Sequence, residues 1–302
     1  MKFSIVIPNY NGAELLRKNL PKVFKAVDSN VEIIVVDDGS SDSSLDYLKT
    51  QPVKVLKNKK NMGFSSAVNK GVSSAKGDVV FLLNSDSFPE KDFLKPLDED
   101  FKDPLVFAVG CLDKSLEEGK IILRGRGIGE WRRGLFVHSR GEIDKKNTLW
   151  ASGGSSAFRK SIWQKLGGLN PIYNPFYWED IDLSYRALKS GYKVLFEERS
   201  VIYHNHSQGA VKKNYSEHRI RRIAYRNQFI FIWENTTDFF LQIKHIFFLP
   251  YHFLKALLRL DLDFFIGFIE AFILLPRIIN SSFKIQKKFT VSDRKVTEPF
   301  RK

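Results

Sequence analysis

Apolar and polar positions follow two distinct periods along the first third of the chain. Compact apolar runs at Phe3–Ile7, Val31–Val36, Val53–Leu56 and Val79–Leu83 are bounded by Asn, Asp, Gly and Ser. Runs of that length, rich in β-branched residues, predict strands of a parallel sheet buried on both faces. Between the first two, Leu16, Leu20, Val23, Phe24 and Val27 recur at helical spacing, with Pro21 placed to kink or restart the helix. Ser41–Lys49 predicts a short helix, and Phe64, Ala67, Val68 and Val72 mark one face of another. Strands alternating with helices of this length predict βαβ units, and so an α/β fold with a mostly parallel sheet flanked by helices.

The pattern changes after residue 117. Glu117 to Leu149 is rich in glycine and arginine, with Arg124-Gly125-Arg126-Gly127 and Trp131-Arg132-Arg133-Gly134, and reads as a mobile loop suited to cover an anionic substrate. A helix near Ser161–Leu166, an acidic segment opening a helix that runs through Lys189, and a strand at Tyr192–Phe196 follow. Ser207 to about Asn227 reads as a linker and a basic helix. Beyond it the chain is dense in phenylalanine, including Phe239-Phe240, Phe247-Phe248 and Phe264-Phe265. The expected division is a catalytic domain over 1–228 and an amphipathic helical extension over 229–302.

Charge sharpens that division. The chain has 302 residues and a formal net charge of +14. From Ser207 onward, 17 Lys/Arg stand against 8 Asp/Glu, so the last third supplies +9 of the total. Basic residues interleaved with bulky aromatics favour a membrane interface over a DNA groove, so no nucleic-acid partner is expected. The longest apolar piece, Phe264 to Leu275, contains Glu270 and falls short of the roughly 20 residues a spanning helix needs. Met1-Lys2 leads straight into the first strand without a secretory apolar region. The expected location is the cytoplasm, peripheral on the inner face of the membrane. Cys111 is the one cysteine, which excludes an internal disulfide and a cysteine-cluster metal site.

Candidate chemistry gathers at predicted strand ends. Asn84-Ser85-Asp86 directly follows Val79–Leu83, where open α/β sheets place their ligands, and a lone carboxylate there suits a hard cation bridged to phosphate oxygens. Asp37-Asp38-Gly39-Ser40 follows the second strand, and two adjacent acids exceed what a helix cap requires. Tyr10 follows the first strand, as a rim or core aromatic or as a platform for a nucleobase. Asn61-Met62-Gly63-Phe64 opens a helix, as an ordinary cap or as an anion site with Gly63 allowing close backbone approach. Glu179-Asp180-Ile181-Asp182 puts three acids into one helical turn, more than the helix dipole calls for.

Taken in order, Ile7-Pro8-Asn9-Tyr10-Asn11, Val36-Asp37-Asp38-Gly39-Ser40-Ser41-Asp42, Asn61-Met62-Gly63-Phe64, Asn69-Lys70-Gly71 and Asn84-Ser85-Asp86 resemble the motifs of family 2 glycosyltransferases of the GT-A fold. Gly153-Gly154-Ser155, Trp178-Glu179-Asp180-Ile181-Asp182-Leu183 and His204 continue the series over roughly residues 1–235, and the tail is similar to that of bacterial rhamnosyltransferase-like members. The resemblance implies a nucleotide-sugar donor, a UDP- or dTDP-sugar first, held by Pro8, Tyr10, Asp38, Asn61, Gly63, Asn84, Gly153 and Gly154. Asp38 would accept a pyrimidine N3–H, and Gly153-Gly154 would shape the sugar pocket or form a plain tight turn. Asp180 matches the catalytic base, with Glu179 and Asp182 as supporting or acceptor-binding groups. Transfer to a saccharide or lipid-linked acceptor would then invert the anomeric centre.

The family usually has two acids separated by one residue where this chain has Asn84-Ser85-Asp86. That leaves Asp86 as the firm carboxylate ligand, with His204, or its near neighbour His206, as a further one. Oxygen ligands with at most one imidazole suit Mg²⁺ or Mn²⁺ rather than zinc. Arg219, Arg221, Arg222 and Arg226 lie on one basic helix, facing either anionic lipid groups or solvent. Two other classes compete. A basic binding protein would not need the ordered acids of the first two-thirds, and a nucleotidyltransferase would need a basic glycine-rich loop that Asn9-Tyr10-Asn11-Gly12 does not supply.

Overall fold

A computed structural model describes residues 1–117, 120–204 and 215–300. The first third follows the predicted order: β1 (Phe3–Asn9), α1 (Ala13–Ala26), β2 (Glu32–Asp37), α2 (Ser44–Leu48), β3 (Lys54–Lys57), α3 (Phe64–Ser74) and β4 (Val79–Leu83). These strands pair parallel in the order β3-β2-β1-β4, with Ile5 opposite Ile33 on one side and Phe81 on the other. Alternation along β1 explains the two covered faces. Ile5 and Ile7 join Leu16, Leu20 and Val23 of α1, while Val6 joins Ala67, Val68 and Val72 of α3. Pro21 neither ends nor restarts α1; it sits on the exposed side, where the carbonyl it leaves unpaired can meet water.

The sheet then becomes mixed. The chain continues through β5 (Ser87–Pro89), α4 (Leu94–Asp100), β6 (Val106–Glu117), β7 (Lys120–Arg124), β8 (Gly127–Arg132), β9 (Leu135–Arg140) and β10 (Ser155–Arg159). After it come α5 (Lys160–Leu166), α6 (Glu179–Lys189) and β11 (Lys193–His204). β10 inserts antiparallel between β4 and β6, and β11 runs parallel to β6 with β5 at its far edge. Cys111 lies buried in β6, its Sγ 3.1 Å from Ser200 Oγ, and burial pushes its pKa up to about 12. It is an inert core thiol.

The expected mobile loop over 117–149 is corrected among the described residues: much of it is ordered β-structure. β8 and β9 form a hairpin closed by Arg133 and Gly134, both at positive φ (49° and 73°), the pairing a two-residue type I′ turn requires. Its tip is fixed by packing, because a Cβ at Gly134 would lie 2.5 Å from the Lys244 carbonyl oxygen.

Among the described residues, five α-helices follow: α7 (Glu217–Asn235), α8 (Phe239–Leu258), α9 (Leu262–Ile273), α10 (Leu275–Gln286) and α11 (Asp293–Thr297). α7 runs unbroken through residues 228 and 229. Its Phe229, Ile230 and Phe231 are buried with Phe136 of β9, Tyr185 of α6, Phe264 of α9 and Ile278 of α10 in a third apolar cluster. Among the described residues, no helix is long and apolar enough to cross a membrane.

Gly134→Ala strains a left-handed turn and pushes the tip away from α8. The expected cost is about 1–3 kcal/mol in the urea-unfolding free energy.

Candidate active site

Polar residues at the carboxyl ends of β1, β2 and β4 share one rim, because these strands run parallel. The loops there are laced together. Asn9 Nδ2 donates to Asp37 (3.1 Å), Asn11 N to Ser40 Oγ (2.9 Å), and Ser41 N to Asn11 Oδ1 (2.8 Å). Tyr10 is half-buried on this rim, and Pro8 sits in β1 beyond its last pair with β4, where no donor to that strand is needed.

Asp38 is engaged by the loop before α3. Its carboxylate, 4 % exposed, accepts from Asn58 Nδ2 (2.7 Å), Met62 N (3.0 Å) and Gly63 N (2.9 Å). A buried carboxylate needs such donors, and here the loop before α3 supplies them. The same bonds favour the capping reading of Asn61 and Gly63. Gly63 N is shared by Asp38 and Asn61 Oδ1, while Phe64 N and Ser65 N turn to Pro175 O and Asn174 Oδ1. The Asp38 carboxylate thus sits at the start of α3.

The remaining candidates converge through contacts. Asn84 N donates to the Gly154 carbonyl (3.0 Å), and a Cβ at Gly154 would lie 2.3 Å from Asn84 Nδ2, so a larger residue there would have to displace the Asn84 amide. Gly153 N donates to Asp180 Oδ2 (3.2 Å), and Ile181 N to Asp180 Oδ1 (2.8 Å). The glycine pair therefore bridges the end of β4 and the start of α6. Asp180 is half-buried, and burial raises its pKa against the opposing backbone N–H bonds. Glu179 is 7 % exposed, its Oε2 has no hydrogen-bond partner among the described residues, and burial with the charges of Asp180 and Asp182 raises its pKa strongly.

Asp182 does not belong with them. It is fully enclosed and bonded to Arg186 (2.7 Å), Asn235 Nδ2 (2.8 Å) and Tyr173 OH (3.3 Å), bonds that anchor α6 and agree with the supporting of the two parts expected for it.

His204, at the end of β11, faces Asp86: Nε2 lies 2.8 Å from Asp86 Oδ1, and Nδ1 lies 2.9 Å from Asp113 Oδ2. Burial disfavours the imidazolium, but the Asp113 and Asp86 carboxylates outweigh it and push the pKa up to about 10. The pair fits a divalent cation. Two ligand atoms side by side in an octahedral shell lie about 3 Å apart, and a carboxylate on the second ring nitrogen is the usual orienting partner of a ligating imidazole. Among the described residues, no three His, Cys, Asp or Glu side chains group around one point. His206 lies outside the described residues.

Three features escaped the sequence. Asp113 lies mid-strand in β6, without a motif. Tyr177 and Trp178 are consecutive non-glycine residues at positive φ (71° and 76°) just before Glu179, a strained turn of the kind found at functional sites. Asn227 of α7 holds that turn. Fully buried, its Nδ2 donates to the carbonyls of Tyr173 (2.9 Å), Phe176 (3.0 Å) and Tyr177 (2.8 Å). Arg226 beside it donates to the Asn174 carbonyl (2.5 Å), while Arg221 and Arg222 pair with Asp263 (3.0 and 3.2 Å) and Arg219 with Glu270 (3.8 Å). The basic face expected on this helix is thus largely engaged within the protein.

With this geometry in place, comparison with known proteins is decisive. The sequence profile described as glycosyl transferase family 2 matches residues 4–167, more than half of the chain. The chain belongs to glycosyl transferase family 2. This family 2 glycosyltransferase is 25% identical over 214 residues to the O-antigen chain rhamnosyltransferase RfbN of Salmonella typhimurium, covering 68% of this chain and 67% of that protein. It is 34% identical over 130 residues to the dolichol-phosphate mannosyltransferase of Pyrococcus furiosus, covering 40% of this chain and 35% of that protein. The GT-A fold is shared with solved structures. GalNAc-T7 with UDP, GalNAc and Mn²⁺ aligns at TM-score 0.64 and 21% identity, over 78% of this chain and 48% of its own. TarS 1-349 of S. aureus with UDP-GlcNAc aligns at TM-score 0.60 and 17% identity, over 100% of this chain and 92% of its own.

The raised pKa of His204 sets a pH dependence in the absence of divalent cations. A folded pKa of about 10 against the ordinary 6.5 contributes stability that is full below pH 6.5 and lost as pH rises through about 10. The gap in unfolding free energy between the parent and His204→Gln should therefore shrink between pH 6 and pH 10.5, read by urea titration. Asn227→Ala should lower turnover at least tenfold with donor affinity unchanged, read as a fall in kcat without a rise in donor KM, since it frees the turn before Glu179 and not the rim at β1 and β2.

Proposed function

We propose that this glycosyltransferase is inverting and divalent-metal-dependent, taking a sugar from a UDP- or dTDP-sugar to a saccharide or lipid-linked acceptor in the building of cell-surface polysaccharide or glycolipid. The observation that carries the reading is the bridge Asn84–Gly154–Gly153–Asp180. It brings a half-buried carboxylate of raised basicity to the rim that also holds Asp86 and His204.

In this reading the donor lies along the rim at the ends of β1, β2 and β4. Tyr10 offers a ring to the base, and Asp38 keeps the Asn61–Gly63 loop in shape around it. Gly153 and Gly154 leave room for the sugar. Asp180 takes the proton from the acceptor hydroxyl, whose oxygen attacks the anomeric carbon from the face opposite the diphosphate. A carboxylate lifted toward neutral pH by burial is better matched to that transfer than a free one. Glu179 Oε2, without a hydrogen-bond partner among the described residues, provides an acceptor for a second hydroxyl of the incoming sugar. Asp86 and His204 would hold Mg²⁺ or Mn²⁺, which when bound neutralises the charge developing on the departing diphosphate.

The outer face of the C-terminal helices supports association with a membrane surface. Phe239, Phe240, Phe247, Leu258 and Phe283 are each at least two-thirds exposed, among the exposed cations Lys244, Lys255, Arg259 and Lys284. Aromatic and aliphatic side chains enter the acyl boundary while such cations meet anionic headgroups. In this reading the site works at the inner face of the cytoplasmic membrane, facing a pool of nucleotide sugars.

The test begins with UDP-, dTDP- and GDP-sugars screened for thermal stabilisation with and without Mn²⁺. A donor at 100 times its Kd stabilises by about 2.7 kcal/mol. Asp180→Asn should then cut transfer by roughly 10² to 10⁴ while keeping donor stabilisation. Transfer at the parental rate would remove Asp180 from the role of base.

A further inference from the structure

Beside the hairpin tip, a cleft of about 540 Å³ opens between β8–β9 and helices α8 and α9. Arg132, Arg133, Lys255 and Arg259 line it against a single carboxylate, Asp261, which already accepts from Tyr225 OH (2.7 Å). Arg133 is held in place, its guanidinium 4.9 Å from the Tyr251 ring centre and bonded to the Tyr251 hydroxyl. Arg132 leans on Glu130 (3.3 Å). Among the described residues, neither Lys255 nor Arg259 has a carboxylate within ion-pair distance, and both are exposed. Four cations around one concave space suit an anion with several oxygens, such as a phosphate or diphosphate.

The surroundings ask for more than an anion. Directly after Arg259, Leu260 is held at φ 52° and is 82 % exposed, and Leu257, Leu258 and Leu262 around it are exposed by 60 %, 77 % and 68 %. A leucine in a left-handed conformation costs roughly 1–2 kcal/mol, and here that backbone thrusts an apolar side chain into the open. A charged cleft bordered by such a turn matches a molecule that is anionic at one point and apolar beyond it. On the other side the lining of the cleft is tied to the acids by packing. Val137 lines it, and the next residue, His138, packs its ring 4.9 Å from that of Trp178, the residue before Glu179. Tyr225 lines it as well, and the adjacent Arg226 and Asn227 hold the segment before Trp178.

We infer that this cleft seats the phosphate end of a lipid-linked acceptor, with the lipid leaving over the Leu257–Leu262 turn and the sugar end reaching toward Asp180. The inference rests on the transferase reading above and specifies which acceptor class it uses. The cations neutralise the phosphate charge, the leucines and the membrane take the chain, and the headgroup is thereby registered against the acids.

Titration of the full chain with farnesyl diphosphate, followed by calorimetry in the absence of donor, tests it. The parent should bind saturably. Lys255→Glu/Arg259→Glu, both on exposed positions and checked for the parental unfolding midpoint, should bind at least tenfold more weakly. Inorganic diphosphate should bind the parent at least tenfold more weakly than farnesyl diphosphate. Asp86→Asn should bind farnesyl diphosphate as the parent does. Four results would overturn the inference: no saturable binding by the parent, undiminished binding by the double variant, equal binding of inorganic diphosphate, or lost binding in Asp86→Asn, which would place the diphosphate at the donor rim. Vesicles of phosphatidylglycerol alone, captured by the parent and lost by the double variant to the same degree, would make the cleft a general headgroup site and also overturn it. Because no donor enters the titration, a failed donor screen would sink the transferase mechanism while leaving this result readable on its own.

Discussion

Acids gathered at one edge of a sheet must each find donors or counter-charges, and that requirement organises the active-site half of the molecule. Burial of a carboxylate without partners is costly enough to shift its protonation or unfold its surroundings. Four of the acids here draw their partners from different parts of the chain, while Glu179 Oε2 has none among the described residues. Asp38 takes the loop before α3, Asp180 takes Gly153, Asp86 takes His204 from the end of β11, and Asp182 takes Arg186 and Asn235. The hydrogen bonds that satisfy the acids are therefore the same ones that fix the loops. Rigidity of the rim and chemical readiness of its carboxylates have a single origin.

The parallel half of the fold was legible because strands covered on both faces must be apolar at nearly every position. β4, Val79–Leu83, is buried throughout and was read to the residue. Later elements were harder for physical reasons. The β8–β9 hairpin carries Arg133-Gly134 at its turn, and an arginine at positive φ leaves no trace in a propensity reading; the tip is held by α8, more than 100 residues on. β11 was foreseen only as far as Phe196 but runs to His204, bending past a register shift between Glu197 and Val201 that breaks the alternation.

At the site, motif order brought the right neighbourhoods together but not every role. Asp38 was read as facing a nucleobase and Asp182 as a supporting or acceptor-binding group; both carboxylates are turned toward the protein, and a one-letter acid does not reveal which side of a turn it occupies. Asp113 and Asn227 lie inside a strand and a helix without neighbouring motifs, and each matters only through partners distant in the chain. The strained pair Tyr177-Trp178 is likewise invisible, because neither residue type announces a left-handed backbone. Aromatic packing of Trp178 against Phe136, His138 and Phe231 offsets the strain that the turn stores.

Helix α7 carries one last implication, for anyone wishing to handle a smaller piece of this enzyme. It looks from composition like a border, where a basic stretch gives way to phenylalanines, and a cut at residue 228 would seem natural. That cut would pass through the middle of the helix, one residue beyond the amide that steadies the acidic turn. It would strip Phe229, Phe231 and the helices behind them from Phe136 and Tyr185. What remained would be a sheet with an uncovered flank and a loosened catalytic loop, prone to clump rather than to turn over. The aromatic tail is not baggage on a catalytic unit; it is the far wall of the same room.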